Sequence, residues 1–93
     1  MSPNLTLHAR ARMQQRGIRA EALEALLDFG RTAHVDRGRE IVFFDKAART
    51  RLATHNPQVA REAERWLRRT YAILGSDGTV ITVGHRYRRI SRG

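Results

Sequence analysis

YAILGSDGTVITVGHRYRRI, residues Tyr71 to Ile90, carries the clearest fold signal in the chain. Two short apolar runs flank Asp77-Gly78. Asp-Gly between strand-like segments is a strong hairpin signal, because both central residues of a type I′ turn need positive φ. A two-residue loop there sets Ser76 opposite Thr79, Leu74 opposite Ile81 and Ala72 opposite Val83. Ala72, Leu74, Ile81 and Val83 then share one face, and Tyr71, Ile73, Val80 and Thr82 the other. Neither face is strongly polar, which predicts a strand pair inside a larger sheet. A slip of one residue would exchange the faces, and the turn guards against it. After Gly84 comes His85-Arg86-Tyr87-Arg88-Arg89, so a histidine, a tyrosine and three arginines gather at the end of the last strand. This is the first candidate for part of a functional site.

Working outward, Asn56-Pro57 opens a helix predicted over Pro57 to Arg69, with Asn56 as N-cap and Pro57 at the first helical position. Val59, Ala60, Ala63, Trp66 and Leu67 line its apolar side, so Trp66 reads as a core anchor rather than a base-stacking platform. Asp45 caps a preceding helix, Lys46 to His55, with Ala47, Ala48 and Leu52 facing inward. Before it, Arg31 to Val35 and Glu40 to Phe44 read as strands joined through Asp36-Arg37-Gly38-Arg39. Ile41 to Phe44 is strongly β-prone and suits an interior strand, while the more polar first strand suits an edge.

The N-terminal third reads as two helices. Thr6 caps the first, Leu7 to Arg16, and Gly17 ends it in left-handed geometry. Ala9 and Met13 form its apolar seam. His8, Arg12 and Arg16 fall on one stripe at i, i+4 and i+8, either a phosphate-binding face or an ordinary solvated surface. The second helix, Ala20 to Phe29, has Ala22, Leu23, Leu26 and Leu27 at the helical apolar period and Gly30 as its C-terminal cap. The expected fold is α+β: one antiparallel sheet of about four strands, built from two hairpins, with helices packed on one face. The predicted core is Met13, Ile18, Leu23, Leu26, Leu27, Val42, Phe44, Leu52, Val59, Trp66, Leu67, Ile73, Ile81 and Val83.

Composition bounds the function. A chain of 93 residues with 41% hydrophobic content is one domain, and at that size it buries roughly 65% of its unfolded surface. It has no cysteine, hence no disulfide framework or thiolate chemistry. No apolar run approaches the length of a membrane span, and the opening MSPNLTLHAR lacks a signal-peptide core, so a cytoplasmic protein is expected. The net charge of +9 and the pI near 11.6 point to a polyanionic partner. RNA is the first expectation and an acidic protein the second; the bland alternative is a composition that serves solubility alone. His8, His34, His55 and His85 form no metal-ligand spacing, so no metal and no cofactor are expected. Neither a phosphate-cradling glycine loop nor a nucleophile elbow is present.

What remains is a basic constellation. If the first helix and the last strand meet, His8 and His85 are acid–base candidates, with Tyr87 as a third catalytic candidate. Arg12, Arg16, Arg86, Arg88 and Arg89 would contact phosphate. Along an extended strand His85 and Tyr87 share one face, and Arg86 and Arg88 the other. The same residues also fit a basic binding surface without catalysis.

Three stretches carry a family resemblance: LHARARMQQRGI, LEALLDFG and DGTVITVGHRYRRI. Through His8-Ala9, Arg16-Gly17-Ile18 and the strand Val80 to Val83, the chain resembles the bacterial family catalogued as domain of unknown function 4258. In element order it is similar, more distantly, to the RelE/ParE and BrnT-like toxins. That likeness implies helices packed on an antiparallel sheet, a metal-independent endoribonuclease activity and an acidic antitoxin-like partner, with His85, Tyr87 and the neighbouring arginines as the matching site. The two helices between the strand pairs depart from the toxin pattern. A homodimer through an exposed sheet edge is a further expectation.

Overall fold

The computed structural model describes residues 4–62 and 69–85. Eight elements follow one another: α1 (Leu7–Arg16), α2 (Ala20–Phe29), β1 (Arg31–His34), β2 (Glu40–Phe43), α3 (Lys46–His55), α4 (Pro57–Glu62), β3 (Thr70–Leu74) and β4 (Val80–His85). The strands form one antiparallel sheet in the order β1-β2-β3-β4. The expected α+β fold, two hairpins in a single sheet with helices on one face, is the observed one.

Helix ends fall where local chemistry puts them. Thr6 Oγ1 accepts the Ala9 N–H at 3.1 Å and donates to the Ile81 carbonyl at 2.8 Å, so one hydroxyl caps α1 and ties it to β4. Gly17, at φ 66°, turns the chain out of α1, and the Ile18 N–H reaches back to the Met13 carbonyl at 2.9 Å. Asp45 Oδ1 caps α3 through the Ala48 N–H at 2.8 Å, and Asn56 Oδ1 takes the Val59 N–H of α4 at 3.3 Å. Gly30 ends α2 for a different reason. Its φ is −68°, open to any residue, but a Cβ there would lie 2.4 Å from the Leu26 carbonyl oxygen and 2.7 Å from Val42 Cγ1. The glycine lets β1 leave α2 in close contact with β2.

The type I′ turn expected at Asp77-Gly78 is found in the other hairpin instead. In the β1–β2 turn both central residues have positive φ, Arg37 at 49° and Gly38 at 75°, and the Arg39 N–H donates to the Asp36 carbonyl at 2.7 Å. That is type I′ geometry. In the β3–β4 turn only Gly78 has positive φ, at 84°. The Gly78 N–H donates to the Gly75 carbonyl at 3.0 Å and the Gly75 N–H to the Thr79 carbonyl at 2.9 Å, so the loop is Ser76-Asp77-Gly78. Ala72 still faces Val83, but Leu74 faces Val80 instead of Ile81, and the extra residue sits in a bulge. Val80 is therefore fully buried, while Ile81 and Ile73 are half-exposed. The N-terminal segment then docks on the displaced residue: Val80 N–H donates to the Asn4 carbonyl at 2.8 Å and Thr6 N–H to the Val80 carbonyl at 3.1 Å.

One core lies between the helices and one face of the sheet. It joins Ala9, Met13 and Ile18 to Leu23 and Leu26, Leu52, the sheet residues Val42, Ala72, Val80 and Val83, and Phe44 just past the end of β2. Leu27 and Val59 pack against it, half-buried. Ala47, expected inside, is exposed. Of the helix expected over Pro57 to Arg69, residues 63–68, with Ala63, Trp66 and Leu67, lie outside the described residues, and Arg69 stands in a turn before β3 rather than in a helix. On the opposite face the Tyr71 ring lies against its cross-strand partner Gly84, where a Cβ would meet the ring at 3.1–3.2 Å.

Candidate nucleic-acid interface

Helix α1 is laid along β4, the edge strand, and both run the same way. The Thr6 bonds pin the start of α1 to Val80 and Ile81. Its far end brings the Arg16 guanidinium close enough to His85, the last residue of β4, for its charge to act on the imidazole. Strand pairing supplies a second cation. His85 faces Thr70 across β3, and Arg69 immediately precedes Thr70, so its charge also reaches the ring. Three basic groups from three parts of the chain thus converge at one end of the sheet.

The imidazole in this cluster is held neutral. Its pKa is lowered from 6.5, first by burial and then by the charges of Arg16 and Arg69. Nε2 is shielded from solvent and has no hydrogen-bond partner, while the ring as a whole is half-exposed. A proton on Nε2 would be a buried donor without an acceptor, which costs free energy. The arrangement favours the tautomer with its N–H on Nδ1.

Around this cluster the surface of α1 is entirely basic or neutral. Its sequence, LHARARMQQR, holds no carboxylate. Among the described residues the ion pairs are Arg31 with Asp45 at 3.2 Å and Arg39 with Asp36 at 2.9 Å; none involves Arg10, Arg12 or Arg16. The acids of the next helix in the chain, Glu21, Glu24 and Asp28, are exposed along α2, so charge is segregated between the two helices.

Of the sequence-predicted residues, the structure brings Arg16 to His85 and sets Arg12, half-buried, on the same stripe as Arg16. His8 is exposed at the start of α1. Eight residues of helix separate it from Arg16, about 12 Å along the axis, so the two imidazoles stand at opposite ends of the α1–β4 pair. Tyr87, Arg86, Arg88 and Arg89 lie outside the described residues. Sequence reasoning passed over Arg69. Counting the hairpin back from Ala72 opposite Val83 puts Thr70 opposite His85 and would have found it. His34 is exposed on β1 and His55 stacks on Phe29 with ring centroids 5.4 Å apart. No group of potential metal ligands comes together among the described residues, and no described helix is long and apolar enough to cross a membrane.

No protein family, curated protein or solved structure matches the chain.

Proposed function

We propose that the chain is an RNA-binding protein whose α1 surface and β4 terminus hold the phosphates of an RNA strand. The observation that carries this reading is the row of α1 guanidiniums without a carboxylate partner among the described residues, ending beside a neutral imidazole and a further arginine. Cations gathered without counter-charge repel one another, and a polyanion removes that repulsion. The basic side chains are seventeen arginines to one lysine. Guanidiniums fork onto phosphate oxygens and also stack on unpaired bases, which favours single-stranded RNA. Protein-bound RNA is then released steeply by salt.

A second reading, metal-independent cleavage of RNA by a toxin-like protein, is favoured by the state of His85. Cleavage requires the His85 ring to turn so that Nε2, shielded in the described position, reaches a ribose 2′-hydroxyl and accepts its proton, while Arg16 and Arg69 stabilise the charge developing on the phosphoryl oxygens. The 2′-oxygen would attack the adjacent phosphate and expel the 5′-oxygen, leaving a 2′,3′-cyclic phosphate. His8 stands too far along α1 to protonate that leaving group at the same phosphate, so the described residues supply a base and electrostatic stabilisation, and the departing 5′-oxygen takes its proton from water. An acidic antitoxin-like protein would compete for the same cations.

Binding of labelled single-stranded RNA across a salt series tests the first reading. Cleavage that survives EDTA and disappears in His85→Ala would establish the second, and intact RNA after prolonged incubation would leave binding alone.

A further inference from the structure

The end of the sheet that carries His85 holds a second group of cations at its other edge. Register places Arg31, Phe43, Tyr71 and Gly84 in one row across the four strands. Arg31 therefore lies at the same sheet end as Arg69 and His85, three inter-strand spacings away, roughly 14 Å. Helix α2 links the two edges on the helix-covered face, beginning just beyond Arg16 and ending just before Arg31.

Beside Arg31 is an open notch of about 610 Å³, lined by Arg31, Lys46, Thr50 and Arg51 together with Asp45 and Ala47. Its one carboxylate is turned inward: the Asp45 side chain is 12% exposed and bonds the Arg31 guanidinium and the Ala48 N–H. The cations face outward. Arg31 is fixed by Asp45 at 3.2 Å and Arg51 by the Phe29 carbonyl at 3.0 Å. Each guanidinium has five N–H donors, so both keep donors for a ligand while their positions are already set. Lys46 is exposed at the mouth. Two anchored guanidiniums and an ammonium around a shallow depression suit a phosphate group.

We infer that the Arg31–Lys46–Arg51 notch is a second phosphate subsite for the same RNA strand, which crosses the strand ends between the notch and the Arg16–Arg69–His85 cluster. This rests on the RNA-binding reading and extends it to a path with two ends. The exposed acids Glu21, Glu24 and Asp28 of α2 turn an anionic strand away from the route over that helix, which leaves the strand ends. An oligonucleotide long enough to span both subsites gains from each, whereas a dinucleotide occupies one at a time.

The test compares hexauridylate and diuridylate on the wild-type protein and on Lys46→Gln, Arg51→Gln and Arg16→Gln, each checked for an unchanged circular dichroism spectrum. Lys46→Gln should weaken hexauridylate binding about fivefold at 0.1 M salt and flatten the salt slope by about 0.7, the share of one phosphate on a single strand. Arg51→Gln should act in the same direction, and diuridylate should change little in either. Hexauridylate binding that is weakened by Arg16→Gln but unchanged in slope and affinity by Lys46→Gln and Arg51→Gln overturns the second subsite and leaves the RNA-binding reading standing. Absence of hexauridylate binding by the wild-type protein overturns both.

Discussion

His85 pairs with Thr70 at the end of the last hairpin, and its shielded nitrogen ties stability to pH. Its folded pKa lies below the 6.5 of the free group. Between those two values the unfolded chain binds more protons than the folded one, so stability falls as pH falls through that window and is complete above it. The thermal midpoint should therefore be level above about pH 7.5 and decline below about pH 6.5, and His85→Gln should remove that part of the decline. An identical pH profile in the variant would contradict the burial account. Gly30 makes a steric prediction. Its missing Cβ would collide with backbone and with Val42, so Gly30→Ala should destabilise by about 1–3 kcal/mol in denaturant unfolding, as overpacked sites do. Leu26, fully buried, should lose about 2–5 kcal/mol on replacement by Ala.

At the scale of elements, the caps and glycines that bound helices are local, and they were legible. Thr6, Gly17, Asp45 and Asn56 each satisfy a helix end through groups within a few residues. The β3–β4 turn was not legible from Asp77-Gly78. Its three-residue loop and bulge bury Val80, and Val80 is where the N-terminal segment and α1 dock, a long-range demand absent from the turn's own residues. The β1–β2 turn took type I′ geometry despite an arginine at φ 49°, since the twist of that turn matches the twist of the strands it joins. Left-handed backbone costs an ordinary residue roughly 1–2 kcal/mol, and asparagine less. Arg37→Asn should therefore raise stability by up to about 1 kcal/mol in the same unfolding assay. Thr6 serves both the cap and the bond to Ile81. Thr6→Ala should cost about 1 kcal/mol and raise amide exchange in the first turn of α1, and Thr6→Ser should restore both.

For the whole molecule, the convergence of α1 with the end of β4 was legible as a condition: the arginine stripe and the terminal histidine matter together only if the two elements meet. Packing meets that condition for Arg16 and His85 and, because both elements run the same way, carries His8 to the far end. The notch at Arg31, Lys46 and Arg51 was not legible, since it joins a strand start to a helix start through sheet register and a salt bridge to Asp45. Charge segregation acts at this scale as well. With a basic α1 followed by an acidic α2, net charge alone is a poor guide to where a polyanion sits.

The most direct test of the central claim is the salt dependence of single-stranded RNA binding, measured for the wild-type protein and for the triple variant Arg10→Gln, Arg12→Gln, Arg16→Gln. The account predicts weaker binding by the triple variant throughout, and a log–log slope shallower by about 2, because three guanidiniums no longer neutralise phosphates of the strand. Equal slopes and equal affinities for the two proteins would contradict it.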